Sequence, residues 1–331
     1  MADAAFDVVG IGDAIVDVIA IRDDAFLAAE GLAKGVMTLI DAERALTLTD
    51  RIGAGTESSG GSAGNTMAAI ASLGGKGAFI GKVRDDRLGR VYRRDMTEIG
   101  VSFDTPEATS GPGTGRCLIV VSADGQRTMA TYLGAAVELG PDAVDERVIA
   151  AAQVTYLEGY LFDPPLAKEA FYRAARLAHD AGRRVALSLS DPFCVDRYRN
   201  EFREFVAGSV DILFANEAEI CGLYETEDFL AAAAAAREHV EVAALTCGAA
   251  GSVVIHGAET HMVDAEPVAR VVDTTGAGDL YAAGFLFGLT NGRPLPTCGA
   301  IGSLCAAEII SHVGARPAAK LAALLKESGL R

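Results

Sequence analysis

The segment Asp273-Thr274-Thr275-Gly276-Ala277-Gly278-Asp279 runs straight into an apolar stretch, residues 280–289. A glycine-rich turn that opens into a buried helix aims free backbone N–H groups, and the positive end of the helix dipole, at one point. Gly276 and Gly278 let the backbone approach an anion closely there. Asp279 adds a carboxylate at the same point. An acid repels an anion, so the pairing makes chemical sense if the acid takes a proton from a hydroxyl that attacks a phosphate held beside it. Taken alone, the residues also read as an ordinary loop with Asp279 as a helix N-cap or first-turn acid. Val271 and Val272 read as the end of a short strand leading into the turn.

Other residues join this one. Asp13 and Asp17 stand at the mouth of the first apolar run, where carboxylates accept hydrogen bonds from sugar hydroxyls or sit as solvated turn acids. In Gly60-Gly61-Ser62-Ala63-Gly64-Asn65 the glycines require a tight turn or a close approach, and Asn65 offers both donor and acceptor; a flexible loop ending in a cap has the same look. Asn216-Glu217-Ala218-Glu219 is by itself a helix capping box, with Glu219 as an alternative holder of a magnesium-bound water. Thr246-Cys247-Gly248 ends a strand and offers a hydroxyl and a backbone N–H to phosphate. Val9-Gly10-Ile11-Gly12 fails as a dinucleotide fingerprint because the third glycine would fall at Ile15.

The elements that must position these groups alternate. Phe6–Ile11 and residues 78–83 read as strands, and residues 66–73 and 86–99 as helices, the second stopping at Gly100. Residues 116–121 and 127–133 flank Asp124-Gly125 as a β-hairpin. From residue 141 onward strands at 154–157, 185–189, 212–215, 242–246 and 252–255 alternate with helices at 165–181, 202–207, 217–223 and 229–239. Further helices are expected at 279–289 and 304–311. That alternation predicts an α/β fold, a mostly parallel sheet with helices on both faces, and the hairpin region is a small β appendage to it.

With 331 residues, 50% of them hydrophobic, the chain can build a large core. A formal net charge of −16 argues against nucleic-acid or anionic-membrane partners and requires local cations or metal ions for any anionic substrate. Cys117, Cys194, Cys221, Cys247, Cys298 and Cys305 form no C-x-x-C pair and no zinc-like spacing, as expected of small buried hydrophobes in a reducing compartment. Met1–Ala5 lacks a basic signal-peptide start and no apolar run reaches membrane-span length, so the expected location is the cytoplasm.

Gly60–Asn65, Gly81-Lys82-Val83-Arg84-Asp85-Asp86 with Gly89, Asn216-x-x-Glu219, Thr246-x-Gly248 and Asp273–Asp279 occur in that order. The set resembles the ribokinase-like carbohydrate and nucleoside kinases of the phosphofructokinase-B type, from about Val8 to Pro317. Gly10–Asp17, Gly60–Asn65, Gly113–Val121 and Tyr132–Ala136 are similar to the adenosine-kinase branch of bacteria. The resemblance implies one ribokinase-like domain over 1–331, its β lid formed from segments near 14–45 and 103–135.

It also implies an ATP-dependent kinase acting on the 5′-hydroxyl of adenosine. The alternatives are a ribokinase- or fructokinase-like sugar kinase, or a non-catalytic nucleoside- or nucleotide-binding protein. Asp279 would be the base, and Gly276, Ala277 and Gly278 the anion hole. Asp13, Asp17, Gly61 and Asn65 would hold the ribose. Ile15, Met37, Leu133, Ala135, Tyr160, Leu161 and Phe162 are lid candidates against the purine, or plain core. Asn216 and Glu219 would organise Mg·ATP, with Thr246 and Gly248 lining the ATP site. Asp273 and Thr275 would hold a monovalent cation such as K⁺. Arg84 stands where the family usually has glycine and reads either as a contact to phosphate or an acid, or as a solvated substitution. The expected partners are ATP and a nucleoside or sugar, with the chain as monomer or homodimer.

Overall fold

Phe6–Ile11 (β1) is apolar and bounded by glycine, and it lies second from one edge of an eight-stranded sheet. The computed structural model describes residues 4–330. The other strands of this sheet are β5 (Gly77–Ile80), β8 (Ala152–Glu158), β9 (Arg184–Ser188), β10 (Ile212–Asn216), β11 (Val242–Thr246), β12 (Ser252–His256) and β13 (Glu259–Val263). Their order is β13-β12-β11-β10-β9-β8-β1-β5. β12 pairs antiparallel with both β11 and β13, and all other pairs are parallel. A second sheet, ordered β3-β7-β6-β2-β4, contains β2 (Ile15–Ile21), β3 (Met37–Leu39), β4 (Thr56–Ser59), β6 (Gly115–Val121) and β7 (Arg127–Tyr132).

The helices in the first part of the chain are α1 (Asp24–Ala29), α2 (Ala42–Ile52), α3 (Ser62–Ser72) and α4 (Arg87–Glu98). There follow α5 (Glu146–Ala150), α6 (Pro165–Asp180), α7 (Pro192–Ser209), α8 (Glu217–Tyr224) and α9 (Phe229–Arg237). The last are α10 (Ala277–Thr290), α11 (Leu295–Ile309) and α12 (Leu321–Glu327). Successive strand residues serve opposite faces. Val8, Tyr156 and Phe214 pack with α3, α10 and α11, whereas Val9, Leu157 and Leu213 pack with α6 to α9. Burial on both faces is why these strands are apolar runs rather than alternating ones. The second sheet turns Val16, Val18, Leu118 and Val120 toward Leu48 and Ile52 of α2, leaving Ile15, Ile119 and Met129 for its other face. Among the described residues no helix is long and apolar enough to cross a membrane.

Several sequence expectations need correction. Residues 271–272 are not strand: Val271 is exposed, and the Val272 N–H donates to Ile310 O (2.7 Å) at the end of α11 instead of to a strand. The helix expected at 66–73 starts at Ser62, so the glycine-rich turn supplies its first turn. The short helix expected at 202–207 is the end of α7, which starts at Pro192 behind the cap Asp191 and breaks its helical dihedrals at Tyr198. β4 joins the small sheet from outside the expected segments, by antiparallel pairing with β2.

The helix that carries Asp279 is set by glycine contacts. A Cβ on Gly284 of α10 would stand 2.6 Å from Ile301 O, and one on Gly302 of α11 would stand 2.7 Å from Tyr281 O. Gly302→Val is expected to destabilise the protein by about 1–3 kcal/mol through overpacking, read as a lower Tm in thermal denaturation.

Candidate active site

Gly276, at φ +81°, is the N-cap of α10, so Asp279 is a first-turn residue and not the cap. Its carboxylate is turned toward α3, where Ser62 Oγ donates to Oδ1 (2.6 Å) and Asn65 Nδ2 donates to Oδ2 (2.9 Å). Thr66 Oγ1 donates to the Asp279 carbonyl (3.2 Å). Burial pushes the Asp279 carboxyl above its ordinary range, and the bonds from Ser62 and Asn65 and the charge of Arg316 hold it back. Among the described residues the N–H groups of Gly276, Gly278 and Asp279 have no partner, while that of Ala277 turns back to Thr274 O (3.2 Å). A carboxylate and free N–H groups therefore share one helix terminus.

α3 reaches this point because Gly61, at φ +80°, lies against the Asp13 backbone, where a Cβ would meet Asp13 O at 2.1 Å. Gly61 has no side chain to cap the helix. Glu158, at the carboxyl end of β8, does so instead, accepting from Ala63 N (2.6 Å). Burial and the neighbouring Asp13 charge push the Glu158 carboxyl well above its ordinary range. Asp13 itself is pushed up to about 7, by burial and then by Asp163. Asp17, inside β2 rather than in the turn, is pushed up to about 6 by burial, with Arg127 and Arg316 opposing. Asn65 Oδ1 is buried with no partner. Asp13 and Asp17 likewise receive no side-chain hydrogen bond among the described residues.

Asp273 is held differently from expectation. Its Oδ1 accepts from Thr275 N (3.0 Å), and its Oδ2 accepts from Gly314 N (3.0 Å) and from Arg127 Nη1 (2.6 Å). Arg127 comes from β7 of the small sheet, and the pair is almost wholly buried, at 5% and 8% side-chain exposure. Nε and Nη2 of Arg127 have no partner. The expected monovalent cation does not fit at Asp273 while the guanidinium is in place, because Arg127 already supplies a positive charge against Oδ2.

Asn216 and Thr246 end adjacent parallel strands and pair in register. The capping box is realised: Glu219 N donates to Asn216 Oδ1 (2.9 Å) and Asn216 N to Glu219 Oε2 (2.9 Å). Asn216 Nδ2 also donates to Glu219 Oε1 (2.7 Å). Burial pushes Glu219 up to about 7, so a nearby cation would favour its ionised form. That leaves the donor set compatible with a metal-bound water. Gly248, at φ +55°, starts the turn after β11.

The lid candidates divide. Ile15, Leu133 and Met129 share one apolar face of the small sheet, and Met37, opposite Met129, is on the same side and 43% exposed. Ala135 is fully buried and presents no surface, and Leu161 and Phe162 are core, Phe162 stacking on Phe202 with centroids 4.0 Å apart. Tyr160 is near the acids, since Asp191, Asp279 and Glu158 add to burial in raising its hydroxyl. Arg84 donates to Gly111 O (2.8 Å) at the surface. Sequence reasoning missed Glu158, Arg127 and Arg316. An acid ending an apolar strand was a usable signal for Glu158; the arginines carried none, since exposed arginines are common at strand starts and in loops.

Because the folded protein holds the Asp13 proton to about pH 7, against an ordinary value of 3.8, ionising it lowers stability as pH rises through that window. Asp13→Asn is expected to be more stable than the parent at pH 8, by on the order of a few kcal/mol. The advantage should shrink toward pH 5, as measured by denaturant unfolding of the ligand-free protein at each pH.

A family model described as pfkB family carbohydrate kinase matches residues 28–321. The crystal structure of adenosine kinase from Sinorhizobium meliloti is 52% identical, with a TM-score of 0.91 over 98% of this chain and 100% of that one. That of a probable sugar kinase from Rhizobium etli is 48% identical, with a TM-score of 0.92 over 99% and 100%. The ATP-dependent ribose-1-phosphate kinase of Halopiger xanaduensis is 32% identical over 265 residues, 76% of this chain and 81% of its own length. A kinase of this type uses ATP with a divalent metal. With the fold, the Asp279 site and these likenesses in agreement, the chain belongs to the pfkB family of carbohydrate kinases and is a phosphotransferase with an alcohol group as acceptor.

Proposed function

We propose that this chain transfers the γ-phosphoryl group of ATP to the 5′-hydroxyl of adenosine, giving AMP and ADP. The observation that carries the reading is the one-sidedness of the groups around Asp279: Asn65 Oδ1 is a buried acceptor without a donor, and Asp13 and Asp17 accept no side-chain hydrogen bond among the described residues. A ligand that satisfies them brings several O–H groups, as a ribose does. The adjoining face of Ile15, Met129 and Leu133 adds apolar surface that suits a purine more than a free sugar. The 52% identity to the Sinorhizobium meliloti adenosine kinase supports the same choice.

In this reading Asp13, Asp17, Gly61 and Asn65 orient the ribose so that its hydroxyl meets Asp279. The hydroxyl oxygen attacks the γ-phosphorus, its proton passes to Asp279, and the bond from that phosphorus to the β–γ bridging oxygen breaks. The free N–H groups of Gly276 and Gly278 meet the phosphoryl oxygens as charge shifts among them. Arg127 brings a permanent positive charge from the lid to the same turn, in the place expected of the cation. Asn216 and Glu219 would hold the divalent metal through water, and Thr246 and Gly248 would line the ATP phosphates. The metal, when bound, offsets phosphate charge.

A sugar kinase is the second reading, favoured by the Rhizobium etli and Halopiger xanaduensis relatives and by acceptors that any vicinal diol would satisfy. Purified protein with Mg·ATP and a panel of nucleosides, sugars and ribose 1-phosphate distinguishes the two by ADP release. Turnover of adenosine is expected; turnover of a sugar without adenosine would overturn the first reading. Asp279→Asn is expected to lower kcat by about two or more orders of magnitude, the scale of general-base loss, with ATP binding by calorimetry little changed. Replacing KCl by choline chloride is expected to leave turnover unchanged while Arg127 is present, and strong potassium activation would show that the ion pair opens to admit the cation.

A further inference from the structure

Arg316 lies beyond α11, in the link to α12, and its side chain reaches back to three other elements. Nε donates to Ser59 O (2.9 Å) and Nη2 to Ser59 Oγ (2.9 Å), at the end of β4. Nη1 donates to Gly64 O (2.6 Å), in the first turn of α3. Met96 Sδ of α4 lies 3.7 Å from Nη2. Every one of these partners is neutral. An enclosed cation bonded only to neutral groups is costly unless charge nearby compensates it. The nearby charge is that of acids: Asp17, Asp279 and Asp95 of α4 all interact with Arg316.

Gly64 stands between Ser62 and Asn65, the two residues that donate to Asp279. The guanidinium therefore grips the backbone of the turn that holds Asp279 while its charge acts on Asp279. We propose that Arg316 is a positioning residue for phosphoryl transfer, locking the Ser62–Asn65 turn against Asp279 and setting a positive charge beside it. The proposal rests on the reading of Asp279 as base.

The other titratable groups that face Asp279 oppose this effect. Asp17 on β2 and Glu158 on β8 are acids whose charges disfavour a second carboxylate. Tyr156 and Tyr160 also sense Asp279, but both hydroxyls are held neutral by burial. Asp13 raises the Glu158 carboxyl in turn. Arg127 is committed to Asp273 by hydrogen bonding. Arg316 is thus the cation with a direct charge interaction on Asp279 and no carboxylate among its bonded partners.

The test compares Arg316→Gln, which keeps donors and loses charge, with Arg316→Lys, which keeps charge and loses the fork. Folding is checked by circular dichroism. The Asp279 carboxyl is followed in ligand-free protein by ¹³C NMR across pH, assigned with Asp279→Asn, and the pH profile of kcat/KM is measured with whichever acceptor turns over. In Arg316→Gln the Asp279 midpoint and the acid limb of the profile are expected to rise together by roughly one pH unit. In Arg316→Lys both are expected to stay near the parent while kcat falls. An Asp279 midpoint unmoved in Arg316→Gln would overturn the proposal. If Arg316→Gln does not fold, an Asp279 midpoint in Arg316→Lys well away from the parent would do the same. Near-normal turnover by Asp279→Asn would instead remove the base reading, and the NMR midpoint would still report on Arg316.

Discussion

The contact on which the rest depends is the Asp279 carboxylate held between Ser62 Oγ and Asn65 Nδ2. It joins the first turns of two helices that lie more than two hundred residues apart in the chain. Each helix is positioned independently, α10 by its glycine packing on α11 and α3 by the approach of Gly61 to Asp13. Each donor bonds one carboxylate oxygen. The same helix terminus carries unpartnered N–H groups, so the groups proposed as base and anion site are set by one joint.

That joint gathers negative charge. Asp13, Asp17, Glu158 and Asp279 meet at the carboxyl ends of β1 and β8, in β2 and in the first turn of α10, and burial raises all of their carboxyl pKa values. In a chain with a net charge of −16 the opposing cations have to be placed individually. Arg127 arrives from the small sheet and Arg316 from the link after α11. One contacts a carboxylate directly and the other does not, which is why their effects on the site differ in kind. The small sheet therefore contributes more than apolar cover: it carries Asp17 and Arg127 on strands whose other face packs on α2.

Much of this was legible in the residues. β1, the hairpin around Asp124-Gly125 and the helix-strand alternation after residue 141 follow from apolar runs and turn residues, which act locally. Boundaries were legible where a local cap sets them, as at Asp86 before α4 and Asn216 before α8. They were not legible where the cap comes from elsewhere. Residue 62 starts α3 because Glu158 on another strand meets its N–H groups, and no pattern within 60–66 reports that. The apparent strand at 271–272 failed for a similar reason, since the Val272 N–H is taken by Ile310 O at the end of α11.

By itself the sequence determined which residues can do the chemistry: the Gly-Ala-Gly-Asp turn, Asp13, Asp17, Asn65 and the Asn216–Glu219 box are fixed by residue type and short spacing. Only the tertiary structure decided how each is used. It made Asp279 a carboxylate between two donors instead of a cap, gave Asp273 to Arg127, buried Ala135 and placed Arg316 beneath the α3 turn. The physical reason is that hydrogen bonds and burial join groups distant in the chain, and charge interactions depend on those distances in space rather than on position along the backbone.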